Sequence, residues 1–208
     1  IGALGIPENV KTDALSVFEL IVQAESAVHG EPIENIHLHE VGTMDAVADV
    51  VAASFLIDDL AVGSIYASDV CTGVGSVECA HGILPVPAPA TAAILKGIPA
   101  YGGTIDSELC TPTGAAIVKY FVSKFAPMPT MRIESIGYGI GTKDLPRANC
   151  LRVMLGTAEA STQASDEAAC AECSMPSFDD EVVELACNID DMTGEALGFA
   201  LEQLMDAG

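Results

Sequence analysis

The chain has 208 residues, half of them apolar, with no Trp and only 5% aromatics, so its core must be built from Ala, Val, Ile and Leu. Its 30 acidic and 8 basic residues give a formal charge of −22. Such a field repels phosphate backbones and anionic lipid and excludes a non-specific nucleic-acid binder.

The charge is lopsided. All eight bases and 17 of the acids precede residue 153, whereas residues 153–208 hold 13 acids and no base. The longest stretch in the Ala/Val-rich segment, Val50 to Ile57, spans eight positions and includes Ser54, far short of the roughly 20 that a membrane span needs. Ile1 to Val10 carry no basic head followed by an apolar run, so no secretory signal is expected there. Seven cysteines, an odd count with a single CxxC at Cys170 and Cys173, do not form a disulfide framework. A reducing cytoplasm is the expected compartment.

In chain order, Lys11 to His29 reads as an amphipathic helix, with Leu15, Phe18, Ile21, Val22 and Ala24/Val28 at three-to-four spacing and His29-Gly30 as its stop. Pro32 leads into a short extended run over Ile36 to Glu40. Gly42-Thr43 caps a long helix from about Met44 to Ala61, ended by Gly63, and Ile65 to Val70 alternates like a strand. Residues 71–90 form a loop rich in Gly and Pro, with a helix opening near Pro89 and running to Lys96. Thr111 as N-cap and Pro112 at the first helical position open a helix expected to reach Phe125. Arg132 to Tyr138 and Leu151 to Leu155 read as strands around a Gly-rich turn. Residues 157–180 have the composition of an acidic flexible linker, followed by a strand over Val182 to Asn188 and a helix from about Thr193. The fold class is α/β or α+β: a mixed helix–strand first domain over 1–156, the linker, and over 181–208 the start of a second α+β domain.

The sharpest chemical feature is His37-Leu38-His39-Glu40. On a strand, side chains two apart share a face, so both imidazoles could meet one ion, with Glu40 as third ligand or proton acceptor. Asp45 and Asp49, four apart in the next helix, could add oxygen ligands or orient a His. The plainer alternatives are a locally hydrogen-bonded His beside an exposed one, and a solvated acidic helix face. His81 precedes the string Gly82 to Pro89, whose three prolines spaced by two would hold it with little entropy cost. Thr111, Thr113, Gly114 and Ala115 form a helix start that could bind an anion through backbone amides and hydroxyls, or serve as a cap and nothing more. The run Gly137 to Lys143 resembles a phosphate loop, but no GK[ST] follows and Pro146 interrupts a helix; Lys143 and Arg147 remain as phosphate partners. Cys71, Cys79 and Cys110 could be soft ligands or small buried residues. Asp190 and Asp191 could hold a divalent cation or cap a helix. Two general readings fit these residues alone: a metal-dependent hydrolase with His37, His39 and Asp45 around zinc, or a non-enzymatic metallochaperone.

Five strings together resemble the LarC family of nickel-insertion proteins: His37 to Gly42, Ala80 to Thr91, Glu108 to Ala115, Gly137 to Thr142, and Asn188 to Thr193. The resemblance implies a nickel chelatase, or cyclometallase, of nickel-pincer nucleotide cofactor biosynthesis. Such an enzyme inserts nickel into a pyridinium bis-thiocarboxylate mononucleotide with consumption of CTP and Mg²⁺ or Mn²⁺. It further implies a nickel-pincer acceptor enzyme as partner, and a homo-oligomer is expected. On this resemblance His37, His39, Glu40, Asp45 and His81 are the candidate nickel ligands. Thr111 to Ala115 would take the substrate phosphate, and Asp190 and Asp191 the nucleotide's cation. The family's usual DCFSGISGDM-like start and most of its CTP site would lie outside these 208 residues, so the fragment alone is expected to be inactive.

Overall fold

The computed structural model describes residues 1–36, 44–79, 82–158 and, for the backbone alone, 181–186. Helix α1 spans Glu8–His29 and ends on Gly30 in the left-handed conformation, its amide bonded to the Ser26 carbonyl, as expected of a glycine C-cap. Its buried face consists of Val10, Ala14, Val17, Ile21 and Ala24. The expected stripe was rotated from this: Leu15 and Val28 are exposed. Smaller residues take the inner face because α1 is the hub of the helical layer. It packs against α2 (Met44–Leu60), α3 (Pro89–Ile94) and α4 (Pro112–Phe121), and close helix approach favours short side chains.

Polar contacts fix that layer. Tyr120 donates to Asp13 Oδ1 at 2.8 Å, tying α4 to α1, and Asn9 of α1 donates to Asp58 of α2. The Lys119 ammonium reaches from α4 to the carbonyls of Ile94 and, at 3.3 Å, Lys96. It thereby supplies donors to the otherwise unmatched end of α3.

A mixed five-stranded sheet lies beside the helices. In chain order its members are β1 (Ser64–Ala67), β6 (Lys124–Phe125), β7 (Met131–Ile140), β8 (Cys150–Ala158) and β9 (Glu181–Ala186), in spatial order β6-β1-β9-β8-β7. β1 runs parallel to β6 and β9, whereas β8 is antiparallel to β7 and β9. The strand expected just after the acidic stretch is therefore a central member of this sheet. Phe125 and Leu151 pack against the helical core. At Glu134 a bulge shifts the β7–β8 register, which keeps Ile133 in phase with Ile136, Tyr138 and Ile140 on one face. Gly156 is required there, since a Cβ would stand 2.1 Å from the Arg132 carbonyl oxygen.

Two small pairings complete the structure. β2 (Val70–Cys71) lies parallel to β5 (Ala100–Tyr101), and β3 (Ser76–Cys79) is antiparallel to β4 (Gly82–Pro85). The single strand expected over Ile65 to Val70 is thus broken at Ser68-Asp69 into members of two sheets. Part of the expected 71–90 loop is a strand pair. α4 stops at Phe121 because Lys124 and Phe125 pair with Tyr66 and Ala67. Mixed helices and strands agree with the expected class.

Replacing fully buried Ile21 with Ala should lower the unfolding free energy by about 2–5 kcal/mol. Leu15→Ala, on the exposed side of the same helix, should change it by less than about 0.5 kcal/mol. Urea denaturation of the two variants checks this assignment of the α1 face.

Candidate functional site

Three stretches separated in sequence meet at one corner. The backbone of 70–74 is hydrogen-bonded along 99–109: Val70 N to Pro99 O at 2.9 Å, Thr72 N to Tyr101 O at 2.9 Å, Val74 N to Ile105 O at 2.9 Å, and Leu109 N back to Thr72 O at 3.0 Å. Gly73 makes this approach possible. Its φ is +78°, and a Cβ there would lie 1.8 Å from the Ser107 carbonyl oxygen, so any side chain would have to push the strands apart.

The third stretch is the 141–149 turn, closed by Gly141 N to Asn149 O at 3.3 Å and by the buried Asn149 amide donating to the Lys143 carbonyl at 3.4 Å. Leu145 packs on Cys71, Ile105 and Leu109. Lys143 Nζ donates to the Glu108 carbonyl at 3.5 Å, and Arg147 Nη2 lies 3.6 Å from Cys71 Sγ. Tyr101 is half exposed beside them. Partial burial, and then a hydrogen bond with the Cys71 thiol, raise its phenol above the ordinary value, while Arg147 opposes the shift.

Cys110, fully buried, is pushed up to about 12, first by desolvation and then by the charges of Glu108 and Cys71. A thiol held neutral in this way is a small core residue and a poor metal ligand at neutral pH. Cys71, Cys110 and Cys150 are free thiols.

The helix start at 111–115 has most of its donors in use. Pro112 has no N–H, Gly114 N donates to Thr111 Oγ1 at 3.3 Å, and Ala115 N donates to Thr111 O at 2.9 Å. Gly114 and Ala115 are buried, which leaves the amide and hydroxyl of half-exposed Thr113. Asp45 is exposed in the first turn of α2, a favourable place for a carboxylate beside the positive helix end. His37, His39, Glu40, His81, Asp190 and Asp191 lie outside the described residues. Among the described residues no group of three or more His, Cys, Asp or Glu side chains could hold a metal ion, and no helix is long and apolar enough to cross a membrane. Sequence reasoning singled out Cys71, Lys143 and Arg147 but missed Tyr101 and Asn149. Neither belongs to a motif of its own, and each matters only through the partners the fold brings to it.

The family model described as nickel insertion protein matches residues 1–208. The chain belongs to the nickel insertion protein (LarC) family. A pyridinium-3,5-bisthiocarboxylic acid mononucleotide nickel insertion protein of Geobacillus kaustophilus is 42% identical over 204 residues, covering 98% of this chain and 48% of its own. Its namesake in Staphylococcus epidermidis is 42% identical over 203 residues, with 98% and 47% covered. Another, in Desulfitobacterium hafniense, is 41% identical over 208 residues, with 100% and 50% covered. The chain spans about half the length of the curated relatives it matches. No solved structure matches it. Two of the strings that carry the resemblance supply the described corner: residues 108–115 directly, and 137–142 by leading into the turn.

Two outcomes check the corner. Gly73→Ala should cost about 2 kcal/mol or more, since it adds backbone strain to a direct clash, and should lower the melting temperature. The folded chain keeps on Cys110 a proton that the unfolded chain releases near 9.0. Between there and about 12 the unfolded state binds fewer protons, so stability falls as pH rises, and this group adds no pH dependence below that window. Denaturation at pH 8 and pH 10.5 should show a smaller loss for Cys110→Ala than for the wild type.

Proposed function

We propose that this chain is the nickel-handling half of an enzyme that inserts nickel into a pyridinium bis-thiocarboxylate mononucleotide, with CTP consumed and Mg²⁺ or Mn²⁺ as its counterion. The observation that carries the reading is membership of the nickel insertion family over all 208 residues. Relatives about 40% identical are named for that substrate.

The chemistry asks for three things. Nickel, here a substrate, must be held moderately and released, which an incomplete set drawn from His37, His39, Glu40, Asp45 and His81 would do with borderline imidazole donors. Forming the carbon–nickel bond expels a ring proton, so an acceptor must stand by; a neutral His or the Glu40 carboxylate would serve. The substrate phosphate needs donors, and the Thr111–Ala115 helix start offers the Thr113 amide and hydroxyl. In this reading the second domain begins beyond β9, with Asp190 and Asp191 at the cation of the nucleotide. The product would pass to a nickel-pincer acceptor enzyme, and the reducing cytoplasm is the setting in which thiocarboxylates and free cysteines persist.

Calorimetric titration of Ni²⁺ into the wild type and into a His37→Ala/His39→Ala double variant tests the nickel set. The expected outcome is at least about a tenfold loss of affinity in the double variant, as for removal of two of a few ligands. Equal affinity would remove both residues from the site. In the full-length protein, release of CMP and pyrophosphate that depends on both nickel and the mononucleotide would support the CTP-dependent reaction. Nickel binding with no CTP turnover would overturn it.

A further inference from the structure

Arg147 is exposed and, among the described residues, forms no ion pair, although the chain has 30 acids to 8 bases. One guanidinium nitrogen points at the Cys71 sulfur, 3.6 Å away, and that buried thiol acts as a prop that fixes the side chain and leaves its charge unspent. The same corner includes Gly103, whose φ is +68°. A Cβ on Gly103 would stand 3.1 Å from Cys71 Sγ, 3.5 Å from Arg147 Nη2 and 3.7 Å from Tyr101 Cε2, so a bare backbone, a planar cation and an aromatic ring are within touching distance of one point. Tyr101 is half exposed, and the Asp69 carboxylate is close enough to raise its phenol further.

We propose that Tyr101, Gly103 and Arg147 form a binding corner for a cationic aromatic ring that carries an anionic carboxylate-type substituent. The Arg147 fork would take the carboxylate or thiocarboxylate, and the Tyr101 face with the Asp69 charge would take the ring. A guanidinium presents two parallel N–H donors that match a carboxylate, which a lysine cannot do. A cationic ring is attracted to the negative face of a phenol. Asp69 would set a negative side-chain charge against the ring's positive nitrogen. This ligand class is the ring of the substrate given under the proposed function, and the assignment rests on that reading. It leaves the phosphate to the helix start at Thr113. The resulting division is one charged donor for the ring substituent and neutral donors for the phosphate.

The test compares nicotinic acid mononucleotide with nicotinamide mononucleotide, two pyridinium mononucleotides that differ in carboxylate against carboxamide. Affinities for the 208-residue chain are measured by calorimetry. The wild type should prefer the acid by about tenfold or more, the size expected of a hydrogen-bonded charge pair. Arg147→Gln should abolish that preference by weakening the acid alone. Tyr101→Ala should weaken both ligands to a similar degree, and Lys11→Gln, on α1, should change neither. Thermal melts of the variants confirm folding. A wild type without preference, or an Arg147→Gln variant that keeps it, overturns the corner. Free nicotinate is the third ligand. If it binds in an Arg147-dependent way while neither mononucleotide binds, the carboxylate corner stands and the mononucleotide reading falls.

Discussion

At Gly73 there is no room for a side chain, and much of the corner built from 70–74, 99–109 and 141–149 follows from that. The Ser107 carbonyl oxygen occupies the position a Cβ would take. This lets the 70–74 segment lie against 99–109 with four backbone hydrogen bonds of 2.9–3.0 Å. Once those segments are zipped, Cys71 is buried, Leu109 and Ile105 form a platform for Leu145, and Thr111 is delivered to the position from which it caps α4. The 141–149 turn then has a surface to close on. A substitution at this one glycine would therefore act on stability and on the geometry of Tyr101, Gly103 and Arg147 together.

The helical layer is held by a different logic. α1 touches three other helices along a face of Val, Ala and Ile, and the shortness of those side chains lets three partners approach it at once. The short helix α3 is too brief to be stable alone. It is secured by packing on α1 and by the Lys119 ammonium at its C-terminal carbonyls. A cation in a chain with so few is thus used to finish a helix that leads out of the Pro-rich string.

Signals confined to a few neighbouring residues were legible in the sequence, and those that depend on a distant partner were not. The stop at Gly30 and the Thr111-Pro112 start are local capping chemistry and stand where expected. The end of α4 was misplaced by four residues, because Val122 to Phe125 suit a helix and leave it only to pair with β1. The break between β1 and β2 and the β3–β4 pair within 71–90 are likewise tertiary outcomes. On α1 the expected stripe meets the buried face at Ile21 and Ala24 but departs from it at Leu15 and Val28, because close helix packing favours the shorter Val and Ala side chains. At the site, Lys143 and Arg147 stand out in the sequence as scarce cations and Cys71 as a loop thiol that could be a soft ligand. Tyr101 does not, because an isolated Tyr after Ile-Pro-Ala has no pattern until Cys71 and Arg147 are set beside it. The histidine strings lie outside the described residues, so the corner and not the imidazoles is what the fold puts on view.

The charge of −22 bears on how such a corner could work. At physiological ionic strength exposed charges are screened over about 8 Å, so most of the acidic surplus is not felt at any one point. What is felt is local: Arg147 and Asp69 act in opposite directions on the Tyr101 phenol, and Arg147 touches the Cys71 sulfur directly. An anionic ligand approaching this chain gains nothing from long-range steering, which the net charge opposes. Its binding free energy must come from short contacts that fit: a bidentate guanidinium, backbone amides that cannot be neutralised, an aromatic face. A positive ring with negative substituents is better suited to such a surface than a bare polyanion, because the ring charge offsets part of the long-range repulsion while its separated charges reward close placement of Arg147 and Asp69. The acidic surface therefore works against bare polyanions, and the placement of a few cations is what would select a ligand of mixed charge.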